Sequence, residues 1–137
     1  MTHRRTAGGC LCGHVRYELD PTNGVADYCH CRACRKATGG ATVAWIQVPP
    51  AQFTVTAGRP SAYASSAGSQ RWFCPRCGAH THMSDRAGRS IGVTLGTLDD
   101  VDAVTPRGHG FDAVRPAWLC LADDLPRYPG PPPHDEP

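Results

Sequence analysis

Cys74-Pro75-Arg76-Cys77-Gly78 is the stretch whose reading decides the fold, because it offers two thiols across a tight turn. Pro75 presets one backbone angle, and Gly78 permits the positive φ at which such a turn closes. A C-x-x-C followed by glycine is a knuckle that presents two sulfurs to one metal ion, and zinc takes four ligands in a tetrahedron. A second pair must therefore come from elsewhere. Cys10-Leu11-Cys12 supplies it, since in extended backbone the side chains at i and i+2 point to the same face. Joining the two pairs would cross-link segments 62 residues apart, counted from Cys12 to Cys74.

Between them lies Cys29-His30-Cys31-Arg32-Ala33-Cys34, three thiols close enough to hold one ion without help from the rest of the chain. Seven of the eight cysteines thus fall into three clusters. The simplest division is two zinc ions per chain. Cys10, Cys12, Cys74 and Cys77 form a saturated, structural site, while Cys29, Cys31 and Cys34 form an unsaturated, catalytic one with a position left open. Three thiolates make a soft, electron-rich centre whose natural guest is another sulfur, a thiol that binds, loses its proton and becomes a nucleophile.

An alternative stays open. A fourth protein ligand, from His80, His82, His109 or Cys120, would close the second centre and leave a non-catalytic zinc module for protein or nucleic-acid interaction. A zinc Lewis-acid enzyme acting on an unrelated carbonyl or imine is the other alternative. Cys120, flanked by Trp118, Leu119 and Leu121, reads as a small buried apolar residue. His30 lies between two ligands, so in extended backbone its ring points away from the metal. His109, between Gly108 and Gly110, reads as part of a flexible loop facing a ligand; His30 and His109 are the candidates for a general acid.

Composition explains why metal is needed. Leu, Ile, Val and Phe make only 21 of 137 residues, below the roughly one in five expected of a well-cored chain. Small domains short of apolar area use metals or disulfides as cross-links. The basic start, Thr2-His3-Arg4-Arg5, is not followed by an apolar stretch, so no signal peptide is read and a cytoplasmic, reducing setting is expected. In that setting clustered cysteines are metal ligands. No run approaches the ~20 apolar residues of a membrane span. Thirteen Arg and one Lys are scattered and the net charge is +2, so no nucleic-acid partner is expected.

Alternation and turn spacing predict a mainly β single domain over residues 8–128, with flexible termini at 1–7 and at the proline-rich 129–137. Val15 to Leu19, Ala41 to Val48, Phe53 to Thr56 and Ser90 to Leu98 read as strands, and Trp118 to Leu121 as a further short apolar run. One helical turn is expected over Arg32 to Thr38.

Three motifs then resemble a known family in order along the chain. Gly8-Gly9-Cys10-Leu11-Cys12-Gly13-His14-Val15-Arg16-Tyr17-Glu18 is similar to the opening signature of the glutathione-dependent formaldehyde-activating enzyme family (the GFA, or centromere protein V, type of domain). Cys29 to Gly39 resembles its central motif, and Phe73-Cys74-Pro75-Arg76-Cys77-Gly78 its third. His109-Gly110-Phe111, Trp118 and Asp123 to Tyr128 resemble its closing pattern. The resemblance implies an Mss4-like fold of small β-sheets around zinc, with the same division of the seven cysteines. It further implies a carbon–sulfur lyase similar to S-(hydroxymethyl)glutathione synthase, whose partners are a small thiol such as glutathione and formaldehyde or another small electrophile.

Overall fold

Short runs of alternating residues, broken by glycine and proline, gather here into two sheets. The computed structural model describes residues 5–135, and the statements below concern these. The smaller sheet is antiparallel and contains β1 (Thr6–Gly9), β2 (Arg16–Leu19) and β5 (Phe53–Ala57), in the order β1-β2-β5. The larger sheet contains β3 (Val25–Cys29), β4 (Val43–Val48), β6 (Ser61–Ser66), β7 (Ser69–Phe73), β8 (His80–Asp85), β9 (Ile91–Thr94) and β10 (His109–Gly110). Its order is β10-β3-β4-β9-β8-β7-β6, and its pairings are antiparallel except β10 beside β3. The expectation of a mainly β chain holds. None of the described helices is long and apolar enough to cross a membrane.

Helix α1 (Arg32–Thr38) coincides with the expected helical turn. Seven residues are too few for a helix to persist alone, and both ends are tied. The Cys31 sulfur accepts from the Cys34 N–H at 3.3 Å, and Gly39 closes the far end in the left-handed conformation.

Strand register sorts the large sheet into two faces. On one, Ala26, Ile46, Val48 and Val93 pack with Tyr17, Leu19, Leu95 and Leu98 into the main core, against which Phe53 also rests. Full burial of such side chains stabilises by ~1.5–3 kcal/mol each. On the other face the same alternation lines up Asp27, Cys29, Trp45, Gln47, Met83 and Arg71. That second face carries the polar and sulfur-bearing residues. The two remaining small cores each centre on cysteine: Cys10, Val15 and Cys74 in one, Cys34, Val43 and Trp45 in the other.

Four expectations need correction. Strand β1 begins at Thr6, inside the expected loose start, because it pairs with β2 from Thr6↔Leu19 to Gly9↔Arg16. The tail is docked as far as it is described: the Phe111 N–H donates to Gly130 O at 2.8 Å, Pro132 is buried, and His134 pairs with Asp27 at 2.7 Å. Residues 1–4 and 136–137 of the expected flexible termini lie outside the described residues. Trp118 to Leu121 is not a strand; Trp118 is 75 % exposed and Cys120 is exposed rather than buried. Strands β3, β6, β7 and β8 were not expected, since runs such as Ser61–Ser66 alternate too little apolar with polar to mark a face.

Candidate metal centres

At the first centre, two turns bring four thiols together. The Cys10 N–H donates to Val15 O (3.0 Å) and the Gly13 N–H to Cys10 O (3.2 Å), curling Cys10 to Gly13 back on itself. On the other side, the Gly78 N–H donates to Cys74 O at 2.8 Å with Gly78 at φ 79, as the knuckle reading requires. The sulfurs of Cys10 and Cys12 are 3.6 Å apart, and those of Cys12 and Cys74 3.8 Å. A tetrahedron with zinc–sulfur bonds of ~2.3 Å spaces its sulfurs about 3.8 Å apart, so the donor set fits zinc. Backbone N–H groups point at the sulfurs as they would at thiolates: Val15 to Cys10 at 3.2 Å, and Arg76 and Cys77 to Cys74 at 3.3 and 3.5 Å. The Cys77 thiol is pushed down to about 6, first by the Ala79 and Cys12 backbone N–H groups.

The second centre stands on the polar face of the large sheet. Cys29 ends β3, Cys31 caps α1 and Cys34 lies inside its first turn, and their sulfurs lie within 4.8 Å of one another. Hydrogen bonds from the Cys29 and Cys34 thiols push Cys31 down to about 2, and the neighbouring thiols push Cys29 up. These three cysteines fit a metal ion as well.

No fourth donor joins them among the described residues. His80 sits edge-on to Trp45, with ring centroids 5.3 Å apart. His82 stacks on Trp72 at 5.6 Å and hydrogen-bonds Thr81 Oγ1 at 2.9 Å. Cys120 is exposed. The trio opens instead on a cavity of about 580 Å³ whose lining includes all three cysteines, Trp45, Arg71, Met83 and the docked tail at Pro132 and His134. Arg35 and Lys36 are not part of that lining.

His30 turns away from the cysteines, as the alternation predicts. It meets His109, which belongs to β10 and is fully buried rather than on a flexible loop. The His109 Nε2–H donates to the Asp123 carboxylate at 2.9 Å, which leaves its Nδ1 to accept from the His30 Nε2–H at 2.9 Å. Tyr28 stacks on His109 at 4.8 Å. Neither histidine lines the cavity, so the geometry gives them the work of clamping β3, β10 and the 112–123 loop rather than that of a general acid. Asp112 approaches closely enough to share an ion with both rings. It is already paired, however, with Arg115 at 3.3 Å and Arg127 at 3.1 Å. The sequence singles out His30, His109 and Asp123 separately, but no spacing links them, because His30 and His109 are brought side by side by the parallel pairing of β10 with β3.

A comparison with solved structures finds similarity to the crystal structure of a Rhodobacter sphaeroides protein. The two are 26 % identical with a TM-score of 0.61, over 89 % of this chain and 99 % of that one. No protein of curated function matches the sequence. The sequence profile of one family, described as glutathione-dependent formaldehyde-activating enzyme (GFA), matches residues 5–113, a span that holds both cysteine centres and the histidine clamp. With that pattern met across most of its length, the chain belongs to the glutathione-dependent formaldehyde-activating enzyme family.

Proposed function

We propose that Cys29, Cys31 and Cys34 hold a catalytic zinc, that Cys10, Cys12, Cys74 and Cys77 hold a structural one, and that the protein is a carbon–sulfur lyase. Its substrates on this reading are a small thiol, glutathione by family, and formaldehyde or a similar small aldehyde. The observation that carries the reading is the three-thiol centre with no fourth donor, opening on a cavity. A non-catalytic module would need that fourth ligand, and the described residues provide none.

Zinc bound there would supply a Lewis-acidic centre that lowers a thiol's pKa and orients its sulfur. The chain's own residues do the rest. Trp45 and Met83 flank the trio and keep bulk water from its inner side. The Asp27–His134 and Asp85–Arg89 pairs border the same cavity, giving charged groups of both signs for the polar ends of a peptide-like thiol. In the forward direction the sulfur lone pair forms a bond to the carbonyl carbon, the carbonyl π pair moves to oxygen, and that oxygen takes up the proton the thiol gave up. The reverse reaction breaks the same carbon–sulfur bond. No oxidant or reductant is needed.

The test is a titration of cobalt-substituted protein with glutathione. New or shifted sulfur-to-cobalt bands are expected, and an unchanged spectrum at saturating thiol would overturn sulfur binding at this centre.

A further inference from the structure

Arg71 has no place in the reading so far, yet its setting is unusual. It projects from β7 onto the cavity face of the large sheet, opposite Met83. Only 9 % of it is exposed, and among the described residues no carboxylate pairs with it. A guanidinium cannot shed its charge, and a buried charge without a counter-ion is strongly disfavoured. Its two terminal nitrogens, Nη1 and Nη2, both lie 3.7 Å from the Cys34 sulfur. The counter-ion is therefore the cysteine trio itself.

We infer that Arg71 is a positioning residue of the three-thiol centre: its guanidinium fixes the Cys34 sulfur by two N–H···S bonds and balances the negative charge that a guest sulfur brings. A divalent ion with three thiolates carries one excess negative charge, and an anionic guest adds a second. Beside the buried Cys34 that second charge would be resisted, and a fixed cation next to the ligands offsets it. The same two bonds draw electron density from Cys34, making it the weakest donor of the three. The Nε–H of Arg71 is buried with no acceptor among the described residues, so the guanidinium keeps a spare donor.

This inference rests on thiol binding at the centre, and the experiment separates the two. Wild type, Arg71→Lys and Arg71→Gln are loaded with cobalt, and the sulfur-to-cobalt bands are recorded before and during titration with mercaptoethanol, a small neutral thiol. In thiol-free Arg71→Gln the bands are expected to shift, because Cys34 regains electron density. Its thiol affinity should fall about tenfold or more, the scale of losing charge-assisted hydrogen bonds. Arg71→Lys, which keeps the charge but not the two-pronged geometry, should shift the bands while losing less affinity. Wild-type bands and wild-type affinity in both variants would overturn the assignment. Should Arg71→Gln fail to take up cobalt, Arg71→Lys decides alone: shifted bands support the assignment and unchanged bands sink it. If wild type itself ignores the thiol, the thiol reading falls, and Arg71 is then judged on the thiol-free bands.

Discussion

At Cys31 the sulfur accepts the Cys34 N–H inside the first turn of α1 and is also one of the proposed metal ligands, and serine can still serve the first role. Cys31→Ser should therefore keep α1 capped and leave a folded protein with one metal fewer, measurable by circular dichroism together with metal analysis. The loss in stability should be small because this centre closes a loop of only a few residues. His82 makes a different point. Burial, and then the charge of His80, holds its pKa at about 4 instead of 6.5. The unfolded chain takes up a proton near 6.5 and the folded one does not until about 4, so this site's contribution is complete above pH 6.5 and lost as pH falls towards 4. His82→Phe removes that proton uptake while keeping a ring between Phe53 and Trp72. Its acid-unfolding midpoint, with metal content monitored, should lie at lower pH than wild type; an unchanged midpoint would count against His82 as a source of acid lability.

Among the elements, the knuckle after β7 carries the long-range tie. Cys74 is fully buried and belongs with thiols contributed from Cys10 to Cys12. Cys74→Ser should impair folding outright, since metal binding across such a loop is folding free energy; soluble Cys74→Ser protein with a wild-type spectrum would refute the split between the two centres. Gly78→Ala is a milder probe. An added Cβ there meets no atom within 4 Å, so the cost is only that of the left-handed backbone, about 1–2 kcal/mol by denaturant unfolding. The docked tail is the other element with a testable role. Pro132 and His134 wall the cavity, so truncation after Tyr128 should leave the sheets intact and speed removal of one metal by a chelator. Equal release rates would show that the tail does not shield the centre.

Over the described residues, sulfur takes part of the place of hydrocarbon: both satellite cores include cysteines beside Val15 or beside Val43 and Trp45, while the main core between the sheets holds none. Removing the metals proposed for the two centres should therefore abolish the cooperative thermal transition in calorimetry, and an unchanged transition would show that the apolar core suffices. What the sequence alone determined is local. The cysteine spacing, the positive φ at Gly78, the helix over Arg32 to Thr38 and the outward turn of His30 all depend on neighbours within a few positions. The tertiary structure alone decided which face of the large sheet meets the trio. It also decided that Arg71, 37 residues from Cys34, is its counter-ion, that His109 clamps His30, and that the proline-rich tail walls the cavity. These follow from strand order and register, set when separate segments bury their apolar faces together, and no short window of sequence contains them.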